Sequence, residues 1–216
     1  KIVQLADRSE LVLRPDSEYQ NGAAEVLGES IWSKSKLTIN SDMIAQKLRE
    51  KYPELSLVGV TIPIISKRPI IELSPAAPTL LVRGRNGTFA VGDDGRALSS
   101  TSEIGSKASE KLIKVNDSLD IEVKQGDYVL PKRTVTFIKE VDSQLSKKNQ
   151  NIESITLPAV ANELHVKVAG QPYYIKFNLQ NDVLQQVGSY LALIDSGQQL
   201  AKEYIDVRVD GRVYYK

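Results

Sequence analysis

The chain has 216 residues and a net charge of +1, with 41% hydrophobic and 25% charged residues, one His and no Cys. That length suits one large domain or two small ones. The charge balance argues against a general electrostatic grip on nucleic acid or anionic lipid, and the lack of Cys excludes disulfides, thiol nucleophiles and Cys-ligated metals while remaining compatible with an extracytoplasmic compartment. No window approaches the ~20 apolar residues of a membrane span. With neither a starting Met nor a secretory leader, the sequence reads as a soluble piece excised from a longer chain.

Short β-like runs at Ile2 to Leu5 and Leu11 to Leu13 open the chain. Pro15 and Asp16 then signal a helix carrying Tyr19, Ala23, Val26 and Leu27 on one face, with Gly28 expected to stop it. A Ser-rich polar stretch, Ser30 to Lys36, follows. Asn40 or Ser41 caps a second helix, which holds Ile44 and Leu48 one turn apart and ends at Tyr52-Pro53. Leu55 to Ile62 and Pro69 to Leu73 read as strands, so the order is strand, helix, helix, strand, strand. Ser74-Pro75-Ala76-Ala77-Pro78 denies backbone donors and favours an extended connection. It sets the expected domains at 1–75 and 76–216.

Beyond that boundary the pattern becomes antiparallel. Arg85-Asn86-Gly87 and Asp94-Gly95 are hairpin signals between β-rich runs. Ser99 to Lys111 reads as a surface loop, and Leu119, Ile121 and Val123 as a strand. Pro131 opens a third helix with Val135, Ile138, Val141 and Leu145 in one stripe. Ile152, Ile155 and Leu157 begin a further strand. Leu164 to Val168 and Tyr173 to Phe177 form a hairpin across Ala169-Gly170-Gln171-Pro172. Asp182 caps a fourth helix with Val183, Leu184, Val187, Leu191 and Ile194 on one face, and Gly197 stops it. In Tyr204 to Lys216 the apolar positions Ile205, Val207 and Val209 alternate. Asp210-Gly211 then predicts a type I′ hairpin, whose last strand has one side open to another chain. Asp206 and Arg208 share a face of it, where they form either an ion pair holding the hairpin or a contact to a partner.

Residues for catalysis are scarce. His165 sits mid-strand, and a lone His without Cys makes no His-rich or Cys-ligated metal site. Ser99, Ser100, Thr101 and Ser102 lack a base and a nucleophile elbow. Gly92-Asp93-Asp94-Gly95 lacks the acidic spacing of a Ca²⁺ loop and reads as a turn. Gly84-Arg85-Asn86-Gly87 has no helix or Lys-Ser/Thr to complete a phosphate cradle. Lys67-Arg68 and Lys132-Arg133 are isolated pairs, and Tyr173-Tyr174 places one ring inward and one outward. No enzyme, cofactor or metal is expected.

The element order and several phrases resemble the extracytoplasmic part of the bacterial cell-division family FtsQ/DivIB. Ile2 to Leu73 follows the β-α-α-β-β order of that family's POTRA domain. Ile62-Pro63, Ile70 to Leu73, Pro78, Leu80 to Val82 and Asp93-Asp94-Gly95 fall in the family's order. Ile205-Asp206-Val207-Arg208-Val209 with Gly211 is similar to its closing phrase. Ala76-Ala77 replaces the family's Glu-Arg before Pro78, and Val209 replaces its aromatic residue. The resemblance implies an α+β chain: a POTRA domain followed by a mixed, mostly antiparallel β domain with two helices. It implies a divisome scaffold at the septum, anchored by a single-pass N-terminal span absent from this sequence, with no nucleic-acid partner. It also implies partners of the FtsB/DivIC and FtsL types, which bind by strand addition and so regulate septal peptidoglycan synthesis. Asp206, Arg208, Val209, Gly211, Arg212, Val213, Tyr214 and Tyr215 are the implied partner-binding residues, and Leu55 to Val60 is a second surface. The competing expectations are a POTRA-type chaperone or transport module, which would need further POTRA repeats and a membrane barrel, and an envelope hydrolase, for which no nucleophile-base pair or metal set is apparent. Removing Arg212 to Lys216 is expected to abolish capture of a small coiled-coil partner while residues 1–75 stay folded. A truncated chain that still captured that partner in a pull-down would rule out this edge.

Overall fold

The computed structural model describes residues 2–5, 14–33, 41–61, 69–102, 111–197 and 201–216. The expected strand at Leu11 to Leu13, the Ile62-Pro63 step, the Lys67-Arg68 pair and most of the Ser99 to Lys111 loop lie outside these residues. The fold is α+β, and the chain divides into two compact units, Lys1–Pro78 with Ser102–Ile104, and Thr79–Thr101 with Gly105–Lys216.

The first unit runs β1 (Ile2–Leu5), α1 (Asp16–Ser33), α2 (Ser41–Lys51), β2 (Leu55–Thr61) and β3 (Ile70–Pro75). Its sheet has the order β1-β3-β2, with β1 parallel and β2 antiparallel to β3. Tyr19, Ala23, Val26 and Leu27 of α1 and Ile44 and Leu48 of α2 share a core with Ile71 and Leu73. Gly28 does not stop α1, which continues to Ser33. A single helical Gly costs about 1 kcal/mol relative to Ala, too little to end a helix already packed on its apolar side. Gly22 has a positive role: a Cβ there would lie 2.0 Å from the Tyr52 hydroxyl, which donates to the Glu18 carbonyl at 3.0 Å. The shift in hydrophobic phase from Leu57 to Val58 is a register irregularity between Leu55 and Leu57, which leaves Leu57 exposed and Val58 buried. Glu54 is buried with its carboxylate accepting from Arg14 Nε at 2.7 Å and from the Tyr19 hydroxyl at 3.2 Å.

The second unit contains β4 (Pro78–Gly84), β5 (Gly87–Gly92), β6 (Ala97–Ser100), β7 (Ile113–Asp117), α3 (Lys132–Ser146), β8 (Ile152–Leu157), β9 (Glu163–Val168), β10 (Tyr174–Asn178), α4 (Val183–Asp195), β11 (Tyr204–Asp206) and β12 (Tyr214–Tyr215). These strands form one mixed sheet in the order β12-β11-β10-β9-β8-β7-β4-β5-β6. The steps from β7 through α3 to β8 and from β10 through α4 to β11 join parallel neighbours. Both helices pack together and enter a single core with the inward residues of β8, β9 and β10. Asp182 caps α4 by accepting from the Gln185 N–H at 2.8 Å, and Gly197 closes it at φ 69°.

Three expectations are corrected. Leu119, Ile121 and Val123 are not a sheet strand. The Asn86 side chain donates to the Val123 carbonyl at 2.7 Å and accepts from its N–H at 2.9 Å, so a side-chain amide takes the place of a neighbouring strand and Leu119 stays exposed. The strand in that region is β7, between β4 and β8. Ser99 and Ser100 belong to β6 rather than to a loop. On α4, Leu184 is exposed, while Tyr190 and Gln186 are buried. The Gln186 amide satisfies the Asn178 N–H and carbonyl at the end of β10.

Gly95 fixes the approach to α3. At φ 86° it lies in left-handed space, and its carbonyl accepts from both Val129 and Leu130, while a Cβ would lie 1.8 Å from the Leu130 carbonyl oxygen. Gly95→Ala is therefore expected to destabilise the chain by about 2–4 kcal/mol, measured by calorimetry as a lowered transition. An unchanged transition would show that the segment relaxes freely.

Candidate docking edge and the exposed sheet face

The C-terminal segment is built differently from the expected two-residue hairpin. Asp206 pairs with Tyr214 and Ile205 with Tyr215, so residues 207–213 connect β11 to β12. Gly211 has φ 70°, whereas Asp210 is not in left-handed space. A type I′ turn needs positive φ at both central positions, so the Val209–Arg212 turn, closed by Arg212 N–H to the Val209 carbonyl at 3.1 Å, is of another type. Ile205 and Val207 are buried. Val209, Gly211, Arg212, Tyr214 and Tyr215 are exposed, and Val213 packs partly against the core.

β12 is a terminal strand of the nine-stranded sheet. The Lys216 N–H donates to the Tyr204 carbonyl at 3.1 Å, and the Lys216 carbonyl accepts from Glu203 at 2.8 Å. Backbone polar groups alternate sides along a strand. The Tyr215 N–H and carbonyl therefore point away from β11, to the open side.

Asp206 and Arg208 are brought together, but between the last residue of β11 and the connection that follows it, not across the hairpin. Arg208 donates to Asp206 from Nε at 2.9 Å, from Nη2 at 2.6 Å and from its backbone N–H at 3.1 Å. Its Nη1 reaches the Glu163 carboxylate on β9. Burial alone would raise the Asp206 carboxyl. The Arg208 hydrogen bonds and charge outweigh it, with help from Lys176, and hold that carboxyl below its ordinary value.

This network continues over the face opposite the helices. The register aligns His165, Lys176, Asp206 and Tyr214 in one row, and Lys167, Tyr174 and Tyr204 in the next. Lys176 Nζ sits 4.0 Å from the Tyr204 ring centroid and 5.7 Å from that of Tyr174. His165 stacks on Tyr174 at 4.6 Å, and its Nε2 lies 2.6 Å from the Glu163 carboxylate. Tyr173 turns inward and meets the Tyr190 hydroxyl at 3.4 Å. Alternation within β9 and β10 shows which residues share a face. The sequence contains no signal for the parallel register of β10 on β11, so Glu163 and Lys176 were not expected beside Asp206 and Arg208.

The acidic turn is occupied by protein cations: Asp93 binds Lys139 at 2.8 Å, and Asp94 binds Arg96 at 2.9 Å. Among the described residues, no cluster of three or more His, Cys, Asp or Glu has the arrangement of a metal site, and no helix is long and apolar enough to cross a membrane. No family model matches the sequence, and no curated protein matches it.

Arg208→Ala would leave Asp206 and Glu163 close together without their shared cation. The expected cost at neutral pH is about 1–2 kcal/mol, discounted because the guanidinium is a third exposed. Since the folded Asp206 pKa is lowered, its contribution is present above the unfolded value of about 3.9 and is lost as pH falls through the folded one. Denaturant midpoints of the two proteins should therefore converge on acidification below about pH 4. A gap that widened there would refute the ion-pair role.

Proposed function

We propose that this chain is the extracytoplasmic part of a non-enzymatic division scaffold of the FtsQ/DivIB type, held at the membrane by a single N-terminal span. In this reading a short strand from an FtsB/DivIC-like partner, itself associated with an FtsL-like protein, adds to β12 and helps to control septal peptidoglycan synthesis. The observation that carries the reading is the terminal position of β12 with the Tyr215 backbone pointing outward. Strand addition draws affinity from backbone hydrogen bonds and selectivity from alternate side chains.

Other features support it. Tyr214 and Tyr215 are half exposed and offer large apolar rings with polar tips at the edge. Arg212 and Lys216 flank them as charges that discourage indiscriminate pairing. Val209 and Gly211 lie in the exposed turn that leads into β12. The Asp206–Arg208–Glu163 network holds the end of β11, a positioning role for the first two residues. The β-α-α-β-β order of the first unit and its β1-β3-β2 sheet support reading it as a POTRA domain.

Tyr215→Pro separates this mode of binding from damage to the fold. Proline removes the outward N–H, is tolerated on an edge strand, and leaves the Lys216–Tyr204 bond in place. Capture of the small coiled-coil partner should weaken at least tenfold, about 1.4 kcal/mol, with the thermal transition unchanged. Undiminished binding would exclude strand addition at β12.

A further inference from the structure

A second binding feature lies towards the other end of the strand order, where β5, β4 and β7 are neighbours. A cleft of about 360 Å³ there is floored by Leu81 and walled by Arg83, Lys114, Thr88, Thr101 and Asn116. No carboxylate is among the described residues that line it. Arg83 and Lys114 are exposed, and among the described residues neither has an ion-pair partner. This differs from Asp93, Asp94, Glu163 and Asp206, which all sit against cations.

The register defines the spacing of the two cations. Leu81 pairs with Lys114 and Arg83 with Asn116 in parallel strands, so Arg83 and Lys114 are diagonal neighbours on one face. Strands about 4.8 Å apart with a rise of about 3.3 Å per residue put their Cα atoms about 8 Å apart. Thr88 and Asn116 add polar groups beside them. An extended peptide carries side chains of alternate residues on one side, about 6.6 Å apart. Carboxylates two residues apart on such a peptide match both the sign and the spacing of this pair.

We infer that the cleft binds an extended acidic peptide segment with carboxylates on alternate residues, one directed to Arg83 and the other to Lys114. Arg83 takes its carboxylate as a planar fork, and Lys114 takes the other as a point charge. Thr88, Thr101 and Asn116 supply hydrogen bonds, and Leu81 packs beneath the residue between the two acids. The inference uses none of the residues of the β12 edge and does not depend on its reading.

The probe is a fluorescein-labelled peptide Gly-Thr-Asp-Val-Asp-Thr-Gly, compared with its counterpart bearing Asn at both Asp positions, in anisotropy titrations of the full chain. The Asp peptide should bind with an affinity that falls as salt rises, and the Asn peptide at least tenfold more weakly. Arg83→Gln with Lys114→Gln should weaken the Asp peptide about tenfold, with an unchanged thermal transition. Lys147→Gln with Lys148→Gln, at exposed cations beyond α3, should leave binding unaltered, as should Tyr215→Pro. Equal binding of the two peptides, or equal losses in the two Lys/Arg variants, would overturn the site. Displacement of no peptide but saturable binding of inorganic phosphate dependent on Arg83 and Lys114 would overturn its assignment to a peptide.

Discussion

Strands β7, β8, β10 and β11 all point the same way, and twice the chain passes between neighbours of this set through a helix, each time towards β12. Parallel crossovers are right-handed in about 98% of cases. Two crossovers of one hand, advancing in one direction over strands of one sense, must place both helices on the same face. That is the arrangement seen, with α3 and α4 packed together over a common core. Over β8 to β11 the sheet is therefore dry on the helix side and polar on the other, whereas β4, β5 and β6 bury residues of both faces. What remains available for recognition is its helix-free face and its two terminal strands.

The polar side shows how the two kinds of surface differ. Around β9, β10 and β11 its charges neutralise one another: Arg208 joins Asp206 and Glu163, Glu163 also meets His165, and Lys176 lies over two Tyr rings. Such a network orients side chains and stiffens the end of β11 while leaving little unpaired charge. Around β4 and β7 the cations Arg83 and Lys114 have no such partners among the described residues. The same sheet face thus holds a self-satisfied region beside the β12 edge and an unsatisfied one at a distance from it. This division is why the edge is read through its backbone and the cleft through its charges.

Much of the fold was legible wherever one local pattern sufficed. The α3 stripe Val135, Ile138, Val141 and Leu145 is buried as its period requires, and the alternation of β9 and β10 predicts which residues enter the core. Local chemistry failed where tertiary partners outweighed it. Gly28 could not end a helix whose side was packed. Leu119 to Val123 alternates like a strand, but the Asn86 side chain pairs with both backbone groups of Val123 and the Arg85 N–H with the Ile121 carbonyl, so no strand ladder forms. β7, with only Ile113 and Val115 as apolar residues, has too little pattern of its own and is a strand because β4 and β8 flank it. Asp210-Gly211 carries a two-residue turn signal, yet Val207 enters the core and Val213 packs partly against it, so the connection became longer.

For the candidate edge the division is sharp. The sequence by itself determined that the chain ends in β-forming residues interrupted by a turn, and that Asp206 and Arg208 share a face, because both follow from the two-residue period of a strand. Only the tertiary structure decided that β12 is a terminal strand of the sheet among the described residues, that Tyr215 turns its backbone outward, and that Glu163 completes the Arg208 network. The first two follow from the pairing of β12 on β11, and the last from the parallel register of β10 on β11 with the antiparallel pairing of β9 on β10, contacts between distant segments that no residue pattern within the strands themselves signals.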